Sequence, residues 1–385
     1  MHKKLLALVA TGVFAISALT ACGAPQTSSE PSKDGTFKLG GLAPLTGALS
    51  VYGTSTSNGV KLAIEEINAN GGINGEPIDY HLLDEKGDVT EATNAYGRLV
   101  SEHQIDALIG DVTSKPSIGV AARADEDGMP MITPTGTADG ITQQGKTAFR
   151  TCFTDSYQGV VMASYLASQG KKTVAILFDN SDDYSVALST AFAKEAEAKG
   201  IKIVASESFV GTDTDFKAQL TKIVAANPEV LYIPAYYETD ALILRQAKET
   251  GFKGLFVGGD GWDGVVGQFK DDVQLLDGVL FSSHYSIYDE DETIQKFVKS
   301  YQSKYNEDPT AFAALGYDSV YLLKQAVESA GSKDKAKVID ALAGIKFKGI
   351  TGEFSFDENH NPVKTVSFIE IRDGKYQLYA KQAAE

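Results

Sequence analysis

The sequence predicts an α/β protein built from two Rossmann-like lobes, each with a parallel sheet. A chain of 385 residues is too long for one compact core and favours two or three domains. Its 43% hydrophobic and 22% charged residues are the composition of an ordinary globular protein. Strand-like and helix-like segments alternate in two successive series, which is typical of right-handed βαβ crossovers in parallel sheets.

The N-terminal segment, residues 1–21, is interpreted as a signal peptide and not as part of the fold. Two lysines precede an apolar run at residues 5–19, which is too short to span a bilayer comfortably. The run ends in LTAC, which resembles the lipobox of bacterial lipoproteins and implies cleavage before Cys22 and a lipid on its thiol. The alternative is an ordinary secretory signal in which this cysteine is coincidental. Residues 22–35 are rich in Ser, Pro, Gly and Thr and predict a flexible tether.

The first series of elements follows the tether. Its first helix places Val60, Ile64 and Ile67 on one face and stops at two glycines. Its third helix has Pro116 near its start, where the missing N–H costs no hydrogen bond. In chain order the segments are the strand FKLGGLAPLTG, the helix NGVKLAIEEINANGG, the strand PIDYHLLDEKGD, the helix EATNAYGRLVSEH, the strand IDALIGDVTS, the helix KPSIGVAARADEDG and the strand MPMITPTGT.

The second series repeats the pattern and is followed by a return of the chain. Its segments are the strand KTVAILFDNSDD, the helix YSVALSTAFAKEAEAKG, the strand KIVASESFV, the helix DFKAQLTKIVAANP, the strand EVLYIPAYY, the helix ETDALILRQAKETG and the strand GLFVGGDG. Two long helices are predicted at 292–305 and 311–331, and then a strand pair joined through residues 359–362. This order makes both lobes discontinuous.

The predicted boundaries follow from that return. Residues 36–154 and 286–362 form lobe 1, and residues 155–285 and 363–385 form lobe 2.

Once Cys22 is lipidated, Cys152 has no partner for an internal disulfide and is predicted to be a small buried hydrophobe. The net charge of −16 argues against nucleic acid or an anionic membrane surface as a partner.

Catalytic and metal-binding motifs are largely missing from the sequence. The five histidines, at positions 2, 81, 103, 284 and 360, have no metal-ligand spacing, and no phosphate-binding glycine loop is present. The acidic run at 289–292 has the charge of a calcium loop but lacks its Gly and closing Glu, so it is interpreted as a helix N-terminus. The sequence therefore predicts no enzyme activity, no cofactor and no metal.

Polar and aromatic residues instead collect in five loops that follow strands, where open α/β sheets bind ligands. These loops are APLTGALSVYG, GDVTSKP, TPTGTAD, AYYETD and GGDGWDG. The first lobe offers hydroxyls and backbone amides, and the second offers aromatic rings and a carboxylate. Any one loop alone is explained as a turn, but their joint placement favours a ligand site.

From Phe37 onward the chain resembles the type 1 periplasmic binding proteins of ABC importers, and within them the leucine/isoleucine/valine-binding group. The resemblance rests on the loops above together with NGVKLAIEEINANGGINGEPI, DDYS and PTAFAALGYDSVYLL. It implies an extracytoplasmic monomer, lipid-anchored to the bacterial cell membrane, that closes its lobes around an apolar amino acid and delivers it to a permease. The cleft lies between the lobes, and a three-strand hinge is expected near 154–156, 284–286 and 362–364.

The same resemblance implies a role for each site residue. Ser114 and Thr137 would donate hydrogen bonds to the ligand's α-carboxylate beside the backbone of Thr135, and Thr113 is an open alternative to Ser114. Asp260, in water when the cleft is open, would pair with the α-ammonium, joined by Tyr236. The residues that would line the side-chain pocket are Tyr52, Tyr184, Trp262 and Phe312.

Three rival functions remain at this stage. Asp260 stands where several branched-chain amino-acid binders have a longer acid, so a short amide, urea or an aromatic acid is an alternative ligand. A sensory binding protein and an exported enzyme are the other two alternatives. The acid at Asp260 favours a ligand with an ammonium group, which urea and simple aromatic acids lack.

Overall fold

The computed structural model describes residues 35–383. The strands are β1 Phe37–Ala43, β2 Ile78–Asp84, β3 Ala107–Ile109, β4 Met131–Thr133, β5 Ala148–Arg150, β6 Thr173–Asp179, β7 Lys202–Phe209, β8 Val230–Ile233, β9 Leu255–Gly258, β10 Leu280–Ser283, β11 Lys346–Gly349, β12 Gly352–Ser355, β13 Val366–Arg372 and β14 Lys375–Gln382. The α-helices are α1 Ser50–Ala69, α2 Val89–Arg98, α3 Ser114–Glu126, α4 Asp155–Ser168, α5 Asp183–Ala198, α6 Lys217–Ala226, α7 Tyr237–Thr250, α8 Glu292–Tyr305, α9 Ala311–Ala330 and α10 Lys335–Ala343.

The first lobe is organised around a five-stranded sheet in the order β2-β1-β3-β4-β5. All of its pairings are parallel, as the alternating pattern predicts. One face packs on α1 and α9, and the predicted apolar stripe of α1, Val60, Ile64 and Ile67, is buried there. The other face packs on α2 and α3. Helices on both faces bury the inner strands β3 and β4 completely, which is why those two strands are almost entirely apolar, whereas the edge strand β2 is only partly buried.

The second lobe is organised around a seven-stranded sheet in the order β14-β13-β10-β9-β8-β6-β7. Strands β6 to β10 are parallel, but β13 pairs antiparallel with both β10 and β14. The two-lobed α/β prediction is confirmed, with the correction that this sheet is mixed. The β13–β14 pairing has a local reason, because Asp373 and Gly374 form a two-residue turn and strands joined by such a turn can only run antiparallel.

The predicted strand pair joined through residues 359–362 is wrong. Strand β12 pairs with β11, and only an isolated bridge joins Phe356 to Pro362. Between them the side chain of Asp357 accepts hydrogen bonds from the backbone N–H groups of Asn359 and Asn361, at 2.8 Å each. The turn around Asp357 occupies the backbone N–H groups that a hairpin would need for its cross-strand hydrogen bonds, and Pro362 has no N–H group to donate.

Helices α8 and α9 match their predicted ranges closely, and α9 ends where Gly331 adopts a left-handed conformation. Helix α10 was not predicted. It is nine residues long, and Asp334 caps it by accepting from the N–H of Lys337 at 3.1 Å. So short a helix depends on tertiary packing, and Val338 and Leu342 supply that packing by joining the core of the first lobe.

The chain passes from one sheet to the other in three places. These lie between β5 and α4, between β10 and α8, and between β12 and β13. The predicted hinge segments fall within or next to these passages, while the hinge and the lobe boundaries stay predictions. None of the helices within residues 35–383 is long and apolar enough to cross a bilayer.

Candidate ligand-binding site

Loops from both lobes meet around a small cavity between the two sheets. Loops after β3 and β4 line one side, loops after β6, β8 and β9 line the other, and the first turn of α9 completes it. The lining residues are Val112, Thr113, Ser114, Thr135, Thr137, Tyr184, Tyr236, Asp260, Gly261 and Phe312. The cavity measures about 10 Å³, about the room that one water molecule needs. The structure therefore shows the lobes closed.

Eight of the ten residues predicted for the site line this cavity, and Tyr52 and Trp262 do not. The eight are contributed by segments up to about two hundred positions apart in the sequence, from Thr113 to Phe312. Their assembly depends on the parallel sheets, because the carboxyl ends of parallel strands share one edge. Their contacts with a ligand stay predictions.

The first-lobe side of the cavity is rich in hydroxyl groups. The hydroxyl of Thr113 is buried and has no hydrogen-bond partner among the described residues. The hydroxyl of Ser114, at the start of α3, accepts from the N–H of Ala138 at 3.1 Å. Its own proton is left to donate. Both hydroxyls can therefore donate to an anion at the N-terminus of α3, and the choice between them stays open.

A buried arginine outside the predicted set of site residues supports the hydroxyl-rich turn. Arg150 is fully buried, and its guanidinium donates to the carbonyl oxygens of Gly136 and Ala138, at 2.9 Å each. These two carbonyls flank Thr137. Arg150 therefore places a full positive charge behind a turn that was interpreted as a set of neutral donors. The alternating pattern of the FRTCFTD segment does not indicate that the Arg150 side chain points into the core.

The second-lobe side of the cavity is organised around Asp260. One carboxylate oxygen, Oδ1, accepts from the Gln158 amide and the Tyr184 hydroxyl, at 3.0 Å each. The other, Oδ2, lies 3.0 Å from Nε2 of His284. Gln158 is held in turn by the Ser282 hydroxyl, which donates to Oε1 at 2.7 Å. Asp260 is only 3% exposed, so its carboxylate is not in water in this closed conformation.

The second lobe contains further buried acids. Burial, together with the charge of Asp260, raises the pKa of Asp155 well above its usual range. Burial raises the pKa of Asp263 to about 7, opposed by the hydrogen bond that this side chain accepts from the N–H of Ala311. Burial alone raises the pKa of Asp240 well above its usual range. A raised pKa favours the uncharged acid, so these neighbours add little negative charge, and Asp260 is the group on this side of the cleft that suits a positively charged ligand group.

The walls of the cavity are aromatic. The rings of Tyr184 and Tyr236 stack with centroids 4.9 Å apart, and Phe312 stacks on Tyr52 at 4.3 Å. Tyr52 lies behind Phe312, and its hydroxyl connects the lobes. The hydroxyl donates to the carbonyl oxygen of Gly261 and accepts from the N–H of Tyr237 at 3.1 Å. In this conformation Tyr52 holds the lobes together and does not line the pocket.

Trp262 lies behind the cavity wall and not in it. The indole is fully buried, and its N–H donates to the carbonyl oxygen of Ile233 at 2.8 Å. The ring covers Gly258, where a Cβ atom would approach the indole nitrogen to 1.9 Å. The predicted lining role is therefore not observed, because the glycine-rich loop leaves room for the ring inside the second lobe.

Within residues 35–383 there is no cluster of three or more His, Cys, Asp or Glu side chains that could hold a metal ion. Cys152, predicted to be buried, is fully buried, and burial raises the pKa of its thiol to about 12. The site offers anion donors at one end, a carboxylate at the other and aromatic rings between them.

Comparison with known proteins agrees with this architecture. The model of a family of periplasmic binding proteins matches residues 36–375, which is most of the chain. The chain belongs to this family. As a periplasmic binding protein it is a solute-binding component of ABC transport and not an enzyme.

Individual members of the family give the same result. The leucine-, isoleucine-, valine-, threonine- and alanine-binding protein of Pseudomonas aeruginosa is 31% identical over 327 residues, covering 84% of this chain and 86% of its own. A crystal structure of a leucine-binding protein from Thermotoga maritima is 34% identical, with a TM-score of 0.85, covering 90% of this chain and 99% of its own. A branched-chain amino acid transporter substrate-binding protein from Streptococcus pneumoniae, in complex with isoleucine, is 35% identical, with a TM-score of 0.84 and the same coverage.

Proposed function

We propose that this periplasmic binding protein captures an apolar, branched-chain amino acid outside the cytoplasm and delivers it to an ABC permease. The observation that carries the proposal is the polarity of the cleft. Hydroxyl groups and the N-terminus of α3 face the carboxylate of Asp260 across a cavity with aromatic walls. An α-amino acid has a matching arrangement, with an anion and a cation on one carbon and an apolar side chain.

The carboxylate end of the ligand is satisfied by the first lobe. A buried carboxylate loses its hydration and needs replacement donors. The hydroxyls of Thr113, Ser114 and Thr137 and the N-terminus of α3 supply them. Arg150 adds a positive potential behind the turn without itself lining the cavity. The carboxylate is thereby held by oriented groups that do not have to move when the ligand arrives.

The ammonium end is satisfied by Asp260. In the closed structure its two oxygens already accept from Gln158 and Tyr184 and face His284, so the carboxylate is held in one orientation. A charge pair formed in a buried site is favourable only with such preorganised geometry. The stacked rings of Tyr184 and Tyr236 exclude water beside it and leave an apolar space for the ligand's side chain.

Capture requires the lobes to separate and close. A cavity of about 10 Å³ cannot admit an amino acid, so the ligand enters when the contacts between the lobes are broken. Those contacts include the Tyr52 hydroxyl with Gly261 and the Asp263 carboxylate with the N–H of Ala311, at 2.8 Å. Motion about the three passages between the sheets would open the cleft.

Branched-chain amino acids are expected to stabilise the purified protein against heat. A ligand that binds only the folded state adds about 2.7 kcal/mol when present at 100 times its dissociation constant. Leucine, isoleucine and valine should therefore raise the melting temperature clearly, alanine weakly, and arginine and glutamate not at all, since the aromatic walls offer no partner for a second charge. Thermal-shift measurements across these amino acids provide the test.

The rival ligands are separated in the same experiment. Benzoate represents the aromatic acids, acetamide represents the short amides, and urea is tested directly. None of these three compounds has an ammonium group that could pair with Asp260. A shift with one of them and a flat response to leucine, isoleucine and valine would overturn the proposed ligand. Native mass spectrometry of the protein as purified gives an independent reading, because a retained ligand appears as added mass.

Measurements of amino-acid uptake distinguish a transport role from a sensory role. In cells that lack this protein, uptake of radiolabelled leucine should fall and should recover when the gene is restored. A sensory role predicts unchanged uptake together with a lost transcriptional or motile response to the amino acid.

Attachment to the membrane is proposed to occur through a lipid on Cys22, which lies outside the described residues. Cys22→Ala should abolish incorporation of a fatty-acid label and release the protein from the detergent phase, since no other thiol carries the lipobox pattern. Cys152→Ala is the matched control, because that thiol is buried in the fold and should not affect labelling. Lipid labelling that persists in Cys22→Ala would show that the anchor is elsewhere.

A further inference from the structure

His284 contacts Asp260 but does not line the cavity. It follows β10, at the point where the chain leaves the second sheet, and its ring is almost completely buried against Phe153, with centroids 3.8 Å apart. Its Nε2 lies 3.0 Å from Oδ2 of Asp260. Its Nδ1 is buried and has no hydrogen-bond partner among the described residues. The single polar contact of this ring is therefore with the acid expected to hold the ligand's ammonium.

Burial favours a neutral His284 ring. Burial lowers its pKa, and the positive charge of Lys364 lowers it further, while the hydrogen bond and charge of Asp260 oppose both. The other titratable groups close to this cluster are Asp155, which shares Gln158 with Asp260, and the thiol of Cys152. The Tyr184 hydroxyl donates to Asp260, and Asp263, whose pKa is raised to about 7 by burial and in part by the charge of Asp260, also belongs to this group. A neutral His284 that donates from Nε2 leaves Nδ1 without a proton, which agrees with the unpartnered Nδ1.

Asp260 then has only neutral donors from the protein: the Gln158 amide, the Tyr184 hydroxyl and the neutral His284 ring. Two sources can place a positive charge in contact with its carboxylate. One is the ammonium of a bound amino acid, and the other is a proton added to Nδ1 of His284. The two cations repel each other, so each makes the other less favourable.

We propose that protonation of His284 competes with the ligand's ammonium for the charge of Asp260, so that acidification weakens amino-acid binding. The inference rests on the proposed function, because it needs an ammonium ligand at Asp260. The step is a simple proton uptake: the ring gains one proton at Nδ1, and the Asp260–His284 contact becomes an ion pair inside the protein. By linkage, binding of the ammonium must expel that proton.

The first test measures leucine affinity by calorimetric titration between about pH 5 and pH 8, the range in which histidine titrates. In the wild type the dissociation constant should rise by up to about tenfold per pH unit below the pKa of His284 in the ligand-free protein. His284→Gln retains an N–H donor for Asp260 but cannot be charged, so its affinity should vary little over this range. Titrations in buffers of different ionisation enthalpy should show proton release in the wild type and none in the variant.

Two matched variants identify the titrating group. His360→Gln removes another partly buried histidine, whose ring contacts Phe149 and the carbonyl oxygen of Ala148, and should keep the wild-type pH dependence. Asp155→Asn removes the buried acid that shares Gln158 with Asp260, and it should also keep the wild-type pH dependence. A pH dependence that persists in His284→Gln and disappears in Asp155→Asn would assign the proton to Asp155 and overturn the proposal.

The second test does not depend on the ligand. Histidine ring signals are followed by NMR during a pH titration of ligand-free protein, and the His284 signal is assigned by its absence in His284→Gln. The pKa of His284 should fall when Asp260 is replaced by asparagine, because the charge that favours the imidazolium is lost. An unchanged pKa would overturn the coupling even if leucine proves not to be the ligand. Failure of leucine to bind, with the coupling intact, would contradict only the proposed ligand.

Discussion

Replacing Asp260 with asparagine should weaken the binding of leucine by at least about a hundredfold. The substitution keeps the size of the side chain but leaves the ligand's ammonium in a buried site without a counter-charge, a loss of roughly 3–5 kcal/mol. At about 1.4 kcal/mol for each factor of ten, this amounts to two or more orders of magnitude in the dissociation constant. Calorimetric titration of both proteins with leucine measures the effect directly.

Asp240→Asn is a matched control for that experiment. Asp240 is a fully buried acid of the same lobe that does not line the cavity, and burial raises its pKa well above the usual range. A raised pKa favours the uncharged acid, which an amide resembles, so the affinity for leucine should stay close to the wild-type value. Near-normal affinity in Asp260→Asn would remove Asp260 from the binding site.

The stability of ligand-free Asp260→Asn provides a second reading. The structure shows Asp260 buried and accepting hydrogen bonds from Gln158 and Tyr184, and the amide NH₂ group of an asparagine would face some of these donors. The free energy of unfolding should therefore fall by about 1–3 kcal/mol, the cost of leaving a buried donor unsatisfied. If the lobes stay open without ligand, the carboxylate is hydrated and the loss is smaller. The size of this change thus reports how closed the ligand-free protein is.

Replacing Asp318 with asparagine should lower the free energy of unfolding by roughly 3–5 kcal/mol. Both carboxylate oxygens of this buried side chain are used. Oδ1 accepts from the N–H of Ile350, and Oδ2 accepts from the N–H and the hydroxyl of Thr351, at 2.7–2.8 Å. The Thr351 hydroxyl in turn lies 2.7 Å from the ammonium of Lys364, which is also buried. The substitution removes the charge that balances this lysine. Urea unfolding monitored by circular dichroism gives the measurement.

A double-mutant cycle identifies the cause of that loss. Lys364→Met removes the buried ammonium, and with no cation left to balance, Asp318→Asn should cost at least about 1 kcal/mol less in this background. Additive effects would show that Asp318 acts only through its hydrogen bonds to residues 350 and 351. Because Lys364 lies in the third passage between the sheets, the cycle also tests whether this cluster stabilises the proposed hinge.

The pH dependence of stability offers a check on Lys364. Burial lowers the pKa of its ammonium to about 8, against 10.5 for an exposed lysine. Between these two values the unfolded chain binds more protons at this lysine than the folded protein does. The free energy of unfolding therefore rises as the pH rises through this window, and the gain is lost as the pH falls back through about 8. The Lys364→Met variant should lack this contribution.

Much of the candidate site could be anticipated from the sequence, because strand ends and glycine-rich turns are local signals. The loops that carry Thr113, Thr137, Tyr184, Tyr236 and Asp260 each follow a strand with a clear apolar pattern. In parallel sheets this position alone places them at one edge. Which side chains point into the cavity is not a local property. Trp262 stands two residues after Asp260 but turns behind the wall, because Gly258 leaves space for its ring there.

The partners of the site residues could not be read from the sequence. Gln158 meets Asp260 across 102 positions, and Tyr52 meets Gly261 across 209. Arg150 and His284 are polar residues at strand ends, and the alternation of apolar and polar residues around them is the same as at any buried strand end. Burial of such groups is tolerated only when distant segments supply their hydrogen bonds, and no local pattern records those partners.

By itself, the sequence determined the α/β class, the two lobes, the absence of a catalytic motif and the loops that carry a hydroxyl-rich end and an acidic end. These follow from hydrophobic periodicity and turn chemistry, which act over a few residues. Only the tertiary structure decided the antiparallel pairing of β13 with β10, the closed cleft, and the buried partners Arg150, Gln158 and His284. The physical reason is that pairing direction, closure and the satisfaction of buried charge depend on contacts between segments far apart in the chain, whose free energies no short stretch of sequence contains.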